Sequence, residues 1–262
     1  MMLTPAVRTL LLLNIGIYVI QLSGIDLITT FALRSFLSPA FLPHQLVSHM
    51  FLHSLASAGH IFSNMVGLLI FGPRLEDVWG SRRFVFFYFF TGIGAGLLYS
   101  GVNYIEMSQM RDALAIVNEN FSPDVVYNFL DRFAPALSIR HESILSAYEQ
   151  NPESSNVARI VSNLVNTSYL DQVNRPMIGA SGAVFGVLMA FGLLFPNTEL
   201  LFLFFPFPIK AKYLIGFYGA YEIYSGLYRA NESNVAHLAH LGGMLFAYLL
   251  IRYWSTQRNK FY

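Results

Sequence analysis

The chain has 262 residues, 55% of them hydrophobic, 16% aromatic and only 12% charged. Soluble domains average about 25% charged residues; half that share, with a mean hydropathy of +0.48, is a membrane composition. A formal net charge of +1 excludes bulk attraction to nucleic acid, and the lack of cysteine excludes disulfides and thiolate metal sites. A membrane-crossing helix needs roughly 20 mostly apolar residues. The first candidate runs from Val7 to Ser23. Arg8 is its one early charge and no small-residue cleavage site follows, so it reads as a retained span rather than a signal peptide. Asp26 to Gly59 is apolar but broken by Pro39 and Pro43, and reads as an interfacial loop lying partly in the membrane. The second span starts at His60 and ends near Gly72, closed by Arg74, Glu76, Asp77, Arg82 and Arg83, with the two acids expected to pair with the arginines. The third, Phe84 to Tyr104, carries no charge.

Composition changes sharply from Glu106 to Arg175. Nine of the chain's 15 acids fall there. Apolar residues recur at helical spacing in Val125, Val126, Phe129, Leu130 and Phe133, and again in Ile160, Val161 and Leu164. Ser122-Pro123-Asp124 reads as a helix start and Asn151-Pro152-Glu153 as a break. The segment predicts a helical insert outside the membrane, a loop size that is usually functional or a separate subdomain. The fourth span, Met177 to Phe195, stops at Pro196-Asn197. Pro206 and Pro208 rule out one straight helix through Leu200 to Ile209, which is expected to dip into the interface. A fifth span, Tyr213 to Tyr228, and a sixth, Val235 to Ile251, complete an all-α, polytopic bundle of six transmembrane helices. Its expected parts are spans one to three in residues 1–105, the insert in 106–176, and spans four to six with a polar tail in 177–262.

Lysine and arginine concentrate on the cytoplasmic side of short loops. Arg74, Arg82 and Arg83, then Lys210 and Lys212, then Arg252, Arg258 and Lys260 all fall on one side if both termini are cytoplasmic, while the short loop after span five has only Arg229. The insert then lies on the outer face. If the chain is bacterial, the expected site is the plasma (inner) membrane.

Ionisable and polar groups inside a membrane are costly, so each is a functional candidate. They are His60 and Asn64 in span two, Ser181 in span four, Glu222 in span five, and His237 and His240 in span six. Spans two, four and six all enter from the outer face, which places His60, Ser181 and His240 at similar depth. His60 and Asn64 are four apart and share a helix face, suited to holding a developing oxyanion. Ser181 at a helix start has free backbone N–H groups around it. A serine needs a base, and a histidine, with an ordinary pKa near 6.5, suits that role. Gly182-x-x-x-Gly186 and Gly243-x-x-x-Ala247 are small-residue faces that let helices approach closely. No third residue that must orient His240 is evident; Phe185 is expected to pack against its imidazole. Glu222 reads as paired or water-exposed near the outer end of span five, with a role in gating as an alternative. His237 reads as interfacial. His44, His49, His53 and His60 lack carboxylate or thiolate partners, so no metal is expected, and no cofactor is implied.

Gly179-Ala180-Ser181-Gly182, His60-x-x-x-Asn64 and Ala239-His240-Leu241-Gly242-Gly243 resemble the three signature motifs of the rhomboid family of intramembrane serine proteases, in the family's order. Gln45-Leu46-Val47 leading to Met50-Phe51-Leu52-His53, and Phe71-Gly72 with Glu76 and Gly80, are similar as well, while His44 stands where the family often has tryptophan. The resemblance implies Ser181 as nucleophile, His240 as base, an oxyanion site from His60, Asn64 and the Ser181 backbone, and transmembrane protein substrates entering beside span five. It says nothing of the insert, which could bind substrate or a partner. Two other classes are weighed against it. One is a proteolytically inactive relative that binds membrane-protein clients, disfavoured by the intact serine and histidines. The other is a small transporter, disfavoured by the lack of an internal repeat.

Overall fold

A computed structural model describes residues 3–202, 205–228 and 234–258. Arg229 and Lys260, which entered the charge comparison above, lie outside the described residues. The chain divides into two compact units. The first comprises Met1–Leu33, Leu42–Tyr99 and Pro176–Tyr262; the second comprises Arg34–Phe41 and Ser100–Arg175.

Six longer helices contribute to the first unit: α1 (Pro5–Leu22), α4 (Ala58–Trp79), the first part of α5 (Ser81–Glu119), α10 (Ser181–Leu194), α11 (Ala211–Tyr228) and α12 (Asn234–Arg258). Between α1 and α4 the chain forms only α2 (Ile28–Phe31), α3 (Gln45–Ser48) and a single 3-10 turn at His49–Phe51, in keeping with the proline-broken loop expected there. The core is assembled from one face of each long helix, with Val7 and Leu10 of α1, Leu68 and Leu75 of α4, Phe84, Phe87 and Tyr88 of α5, and Val187 of α10 fully or almost fully buried. Many large apolar side chains face outward instead: Leu12, Leu13 and Val19 on α1, Phe62 and Ile70 on α4, Phe217 on α11, and Leu245 and Leu249 on α12. An apolar outer surface of this kind suits a lipid surround, since soluble monomers rarely expose large contiguous apolar patches. By length and apolarity alone α1 and α5 qualify as membrane-crossing helices, and α10 is apolar but only 14 residues long.

Three features differ from the sequence expectation. α4 runs on through Pro73 to Trp79, and stops where Gly80 adopts φ 77°, the left-handed conformation that favours glycine. Glu76 does not pair with arginines. Its carboxylate accepts hydrogen bonds from the backbone N–H groups of Ala6 (2.8 Å) and Val7 (2.9 Å) and from Thr4 Oγ1 (2.5 Å) and Ser81 Oγ (2.6 Å). It therefore satisfies orphan donors at the N-terminus of α1 and opposes that helix's positive end. In place of a dip into the interface, β1 (Glu199–Phe202) and β2 (Phe205–Lys210) pair antiparallel, with Glu199 opposite Lys210. A two-stranded hairpin tolerates Pro206 and Pro208 because each strand has an unpaired edge.

The second unit contains the remainder of α5, α6 (Pro123–Phe133), α7 (Pro135–Arg140), α8 (Glu142–Gln150) and α9 (Ser155–Val173). It has its own core: Met110, Val117, Val126, Phe129, Leu130, Leu145, Tyr148, Val161 and Val165 are buried. Ile160, counted with the apolar pattern above, is 39% exposed; the buried stripe of α9 runs through Val161, Val165 and Ser168. Asn174 closes the unit, accepting a hydrogen bond from Ser38 Oγ (2.6 Å) at its side chain and one from Arg34 at its backbone carbonyl.

Candidate active site

The site is built around the start of α10. The strand-like segment before it is held away from helical geometry by its backbone bonds. Met177 exchanges two hydrogen bonds with Leu33 (3.0 and 2.8 Å), and the Gly179 N–H donates to His49 O (2.9 Å). Gly179 has φ 129°, and a Cβ there would stand 2.9 Å from His60 Nε2 and 3.7 Å from Ser181 Oγ. Only glycine fits this position on both counts. The same two distances place the Ser181 hydroxyl and the His60 ring on either side of one small space. Ser181 is the first residue of α10, so the N–H groups of its first turn have no helical partner and the helix dipole favours negative charge beside them.

His60 sits in the first turn of α4. Its Nδ1 accepts the Ser54 backbone N–H at 3.3 Å. Only an unprotonated Nδ1 can accept, so the ring hydrogen is on Nε2, the atom that faces Gly179. His60 thus presents a donor toward Ser181. Asn64, buried, spends its Nδ2 on the His60 carbonyl at 2.8 Å. This bond braces the first turn of α4 and uses one of the two amide hydrogens. His53 lies against His60, with ring centroids 5.2 Å apart, and its backbone is clamped by Gln21 in two directions, at 3.1 and 3.0 Å.

α10 and α12 meet backbone to backbone. A Cβ on Gly243 would run into the carbonyl group of Gly182, and a Cβ on Gly182 would lie 2.6 Å from Ala95 Cβ and 3.5 Å from Ala239 O. Ala247 is fully buried one turn on. Gly186 faces Thr91, four residues before Ala95 on the same helix α5, whose side chain a Cβ would meet at 2.7 Å. The small-residue face of α10 therefore admits α5, with Gly182 at Ala95 and Gly186 at Thr91, while the close approach of α12 rests on Gly243, which meets the Gly182 backbone. This approach brings the His240 ring flat onto Phe185, with centroids 4.0 Å apart and planes 7° from parallel. Phe185 is one turn after Ser181 on the same face. Among the described residues no hydrogen bond joins Ser181 Oγ to His240; such bonds are often long before substrate arrives.

The sequence did not disclose what stands behind His240. Glu222 of α11, only 5% exposed at its side chain, places Oε1 3.1 Å from His240 Nδ1 and Oε2 2.5 Å from His237 Nδ1. The His240 contact is at ion-pair distance but out of line for a hydrogen bond. His237, read above as interfacial, is tied to this carboxylate. A lone acid in an otherwise apolar helix was the signal available; which helix face it occupied was not. Glu222, His237 and His240 offer donor atoms within 4.8 Å of one another, a set able to hold a metal ion. Ligands around tetrahedral zinc at 2.0–2.2 Å stand roughly 3.3 Å apart, whereas 2.5 and 3.1 Å are hydrogen-bonding and ion-pair separations.

A rhomboid-domain family model matches residues 42–108 and 155–257, and the chain belongs to the rhomboid family. The match takes in His60, Asn64, Ser181, Glu222, His237 and His240, and it resumes at Ser155, within the stretch read above as insert, leaving 109–154 unmatched. Rhomboid proteins are membrane-embedded and usually intramembrane proteases. No curated protein and no solved structure matches the chain.

Proposed function

We propose that this chain is an intramembrane serine endopeptidase that cleaves peptide bonds in or near transmembrane segments of membrane-protein substrates. Ser181 Oγ attacks the carbonyl carbon, and His240 Nε2 takes its proton. The oxyanion that forms is met by the Nε2–H of His60 and by free N–H groups at the head of α10. His240 returns the proton to the leaving amine, and water admitted from the outer face hydrolyses the acyl-enzyme by the same exchange in reverse. The proposal includes six spans (α1, α4, α5, α10, α11 and α12), both termini cytoplasmic, and residues 106–176 forming an insert on the outer face that engages substrate or a partner.

The observation that carries this reading is a single juxtaposition. Gly179 and Ser181 abut the His60 donor, while the Gly182–Gly243 contact lays His240 over Phe185, one turn from Ser181. The test compares purified wild type with Ser181→Ala and His240→Ala in labelling by a fluorophosphonate and in cleavage of a model transmembrane substrate. Both variants should lose cleavage by about 10³-fold or more, and Ser181→Ala should lose labelling. Equal labelling and cleavage in all three proteins would refute the assignment; a wild type that binds but never cleaves would leave an inactive, client-binding rhomboid.

A further inference from the structure

We propose that Glu222 is a positioning residue for His240, turning the Ser181–His240 pair into a serine–histidine–glutamate relay, and that His237 holds the glutamate in place. The inference rests on the catalytic reading above and concerns what that reading leaves open, namely which nitrogen of His240 faces the serine.

The stack on Phe185 fixes the plane of the imidazole. It does not fix the ring within that plane, because a half-turn about the Cβ–Cγ bond leaves the rings parallel and exchanges the edges. Nor does an aromatic face select a tautomer, since it contacts both nitrogens alike. A general base must present a lone pair on Nε2, so the hydrogen must be on Nδ1. Glu222 Oε1, 3.1 Å from Nδ1, is the group placed to hold that hydrogen. The N–H is out of line in this state, so a small rotation of the ring or of the carboxylate completes the bond. When His240 takes the proton from Ser181, the resulting imidazolium lies against a buried carboxylate, and the charge is met without rearrangement.

His237 explains why the carboxylate stays in position. It is three residues before His240 on the same face of α12 and is bound to the other oxygen, Oε2, at 2.5 Å. A carboxylate 5% exposed in an apolar helix is unfavourable unless both its oxygens are met. His237 meets one and leaves Oε1 directed at His240. A carboxylate needed only for packing would have no reason to divide its two oxygens between two histidines on one helix face.

The test uses the full-length protein in detergent, with Glu222→Gln, His237→Leu and His237→Gln beside Ser181→Ala. Glutamine at 222 keeps the shape and an acceptor oxygen but removes the charge. Expected for Glu222→Gln is a loss on the order of 10²-fold or more in kcat and in fluorophosphonate labelling rate, with KM and melting temperature little changed, the pattern of an interaction made in the transition state. His237→Leu, which strands Oε2, should lower kcat about tenfold; His237→Gln, whose amide can still donate, should recover most of that loss. This rescue is the readout that survives if Glu222→Gln fails to fold. Wild-type kcat in Glu222→Gln, with Ser181→Ala inactive, would overturn the relay and leave the serine–histidine reading standing. An active Ser181→Ala would overturn that reading itself. A fall in kcat for His237→Gln as large as for His237→Leu would overturn the holding role of His237. Loss of wild-type activity on dialysis against EDTA, restored by zinc, would overturn the relay in favour of a metal held by the three side chains.

Discussion

Gly243→Ala is the smallest change that tests whether close approach of α10 and α12 assembles the site. A single methyl at Gly243 would overlap the Gly182 carbonyl oxygen and stand 2.8 Å from its carbon and 3.3 Å from its Cα. Ordinary carbon–carbon contact is roughly 3.5–4.0 Å, and the obstructing atoms are backbone, so no rotamer change relieves the clash. The nearest of them, the oxygen at 1.8 Å, sets the requirement: with carbon–oxygen contact at about 3.3 Å, the helices must part by about 1.5 Å at this crossing. Overpacking of this kind costs typically 1–3 kcal/mol. A displacement approaching 1 Å between reacting groups can lower the rate by about 10²-fold, and here it separates the helix bearing Ser181 from the helix bearing His240. The assay is fluorophosphonate labelling rate and substrate cleavage in detergent, with a thermal melt on the same sample. Gly216→Ala on α11 is the matched control, because a Cβ there meets nothing within 4 Å. Gly243→Ala should lose about 10²-fold in labelling and melt lower, with Gly216→Ala unchanged in labelling. Wild-type labelling in Gly243→Ala would refute the idea that this glycine contact sets the Ser181–His240 geometry.

Gly179→Ala should also inactivate, but by a different route: φ 129° is unfavourable for alanine and the methyl would press on His60 Nε2. Cleavage should fall with Ser181 still labelled slowly, and a wild-type cleavage rate would contradict the placement of His60. Glu76→Ala removes four hydrogen bonds to a carboxylate at the start of α1; a loss of about 2–4 kcal/mol in stability is expected, and an unchanged melt would show that the cap is idle. His49, in the loop before α4, has its pKa lowered to about 4 by burial, with its bond to the Gln45 carbonyl opposing the shift. The unfolded chain binds a proton below about 6.5 and the folded one does not until about 4. His49 therefore costs nothing at neutral pH and removes up to about 1.4 kcal/mol of stability per pH unit as pH falls through that window. The melting difference between wild type and His49→Gln should shift across pH 6.5 to 4; a constant difference would refute the assignment.

The residues of the proposed site were legible because they are polar types in an apolar setting and because their spacings are local. His60 and Asn64 share a helix face by their spacing alone, and Phe185 follows Ser181 by one turn, so its place against the imidazole could be anticipated. Relations across helices were less accessible. The spacing of Gly182 and Gly186 suggested a crossing with α12, whereas both face α5, at Ala95 and Thr91, because two small residues four apart make a face without naming its partner. Glu222 could be marked as anomalous, but its meeting with His237 and His240 depends on how α11 is rotated against α12. The end of α4 was expected near Gly72, at the charges that follow. α4 instead continues through Pro73 and those charges, and the stop signal that acts is Gly80, three residues beyond Asp77 and directly after Trp79. The hairpin was illegible because the apolar run from Leu200 to Phe205 contains no Gly, Asn, Asp or Ser to announce a turn, although its strands pair across a short separation.

The shortness of α10 links two requirements of hydrolysis inside a bilayer. Fourteen residues span about 21 Å, less than the roughly 30 Å of a hydrocarbon core. Residues 177–180 before it are not helical; Met177, Gly179 and Ala180 are buried, with Met177 bonded to Leu33 and Gly179 to His49. Non-helical backbone at membrane depth is tolerated only where protein covers it or water reaches it. On the proposed reading, delaying the helix until Ser181 therefore does two things at once. It leaves unpaired N–H groups at the nucleophile, where an oxyanion must be held, and it sets outward of them a non-helical segment bonded to Leu33 and His49, so that Ser181 lies at the helix end nearest the proposed entry of water. A full-length span beginning at Met177 would place Ser181 within the second turn, its N–H already bonded to a carbonyl four residues back, and would supply neither. Gly179 is the residue that prevents this, because its φ of 129° breaks the helix at the one position where the break exposes the serine.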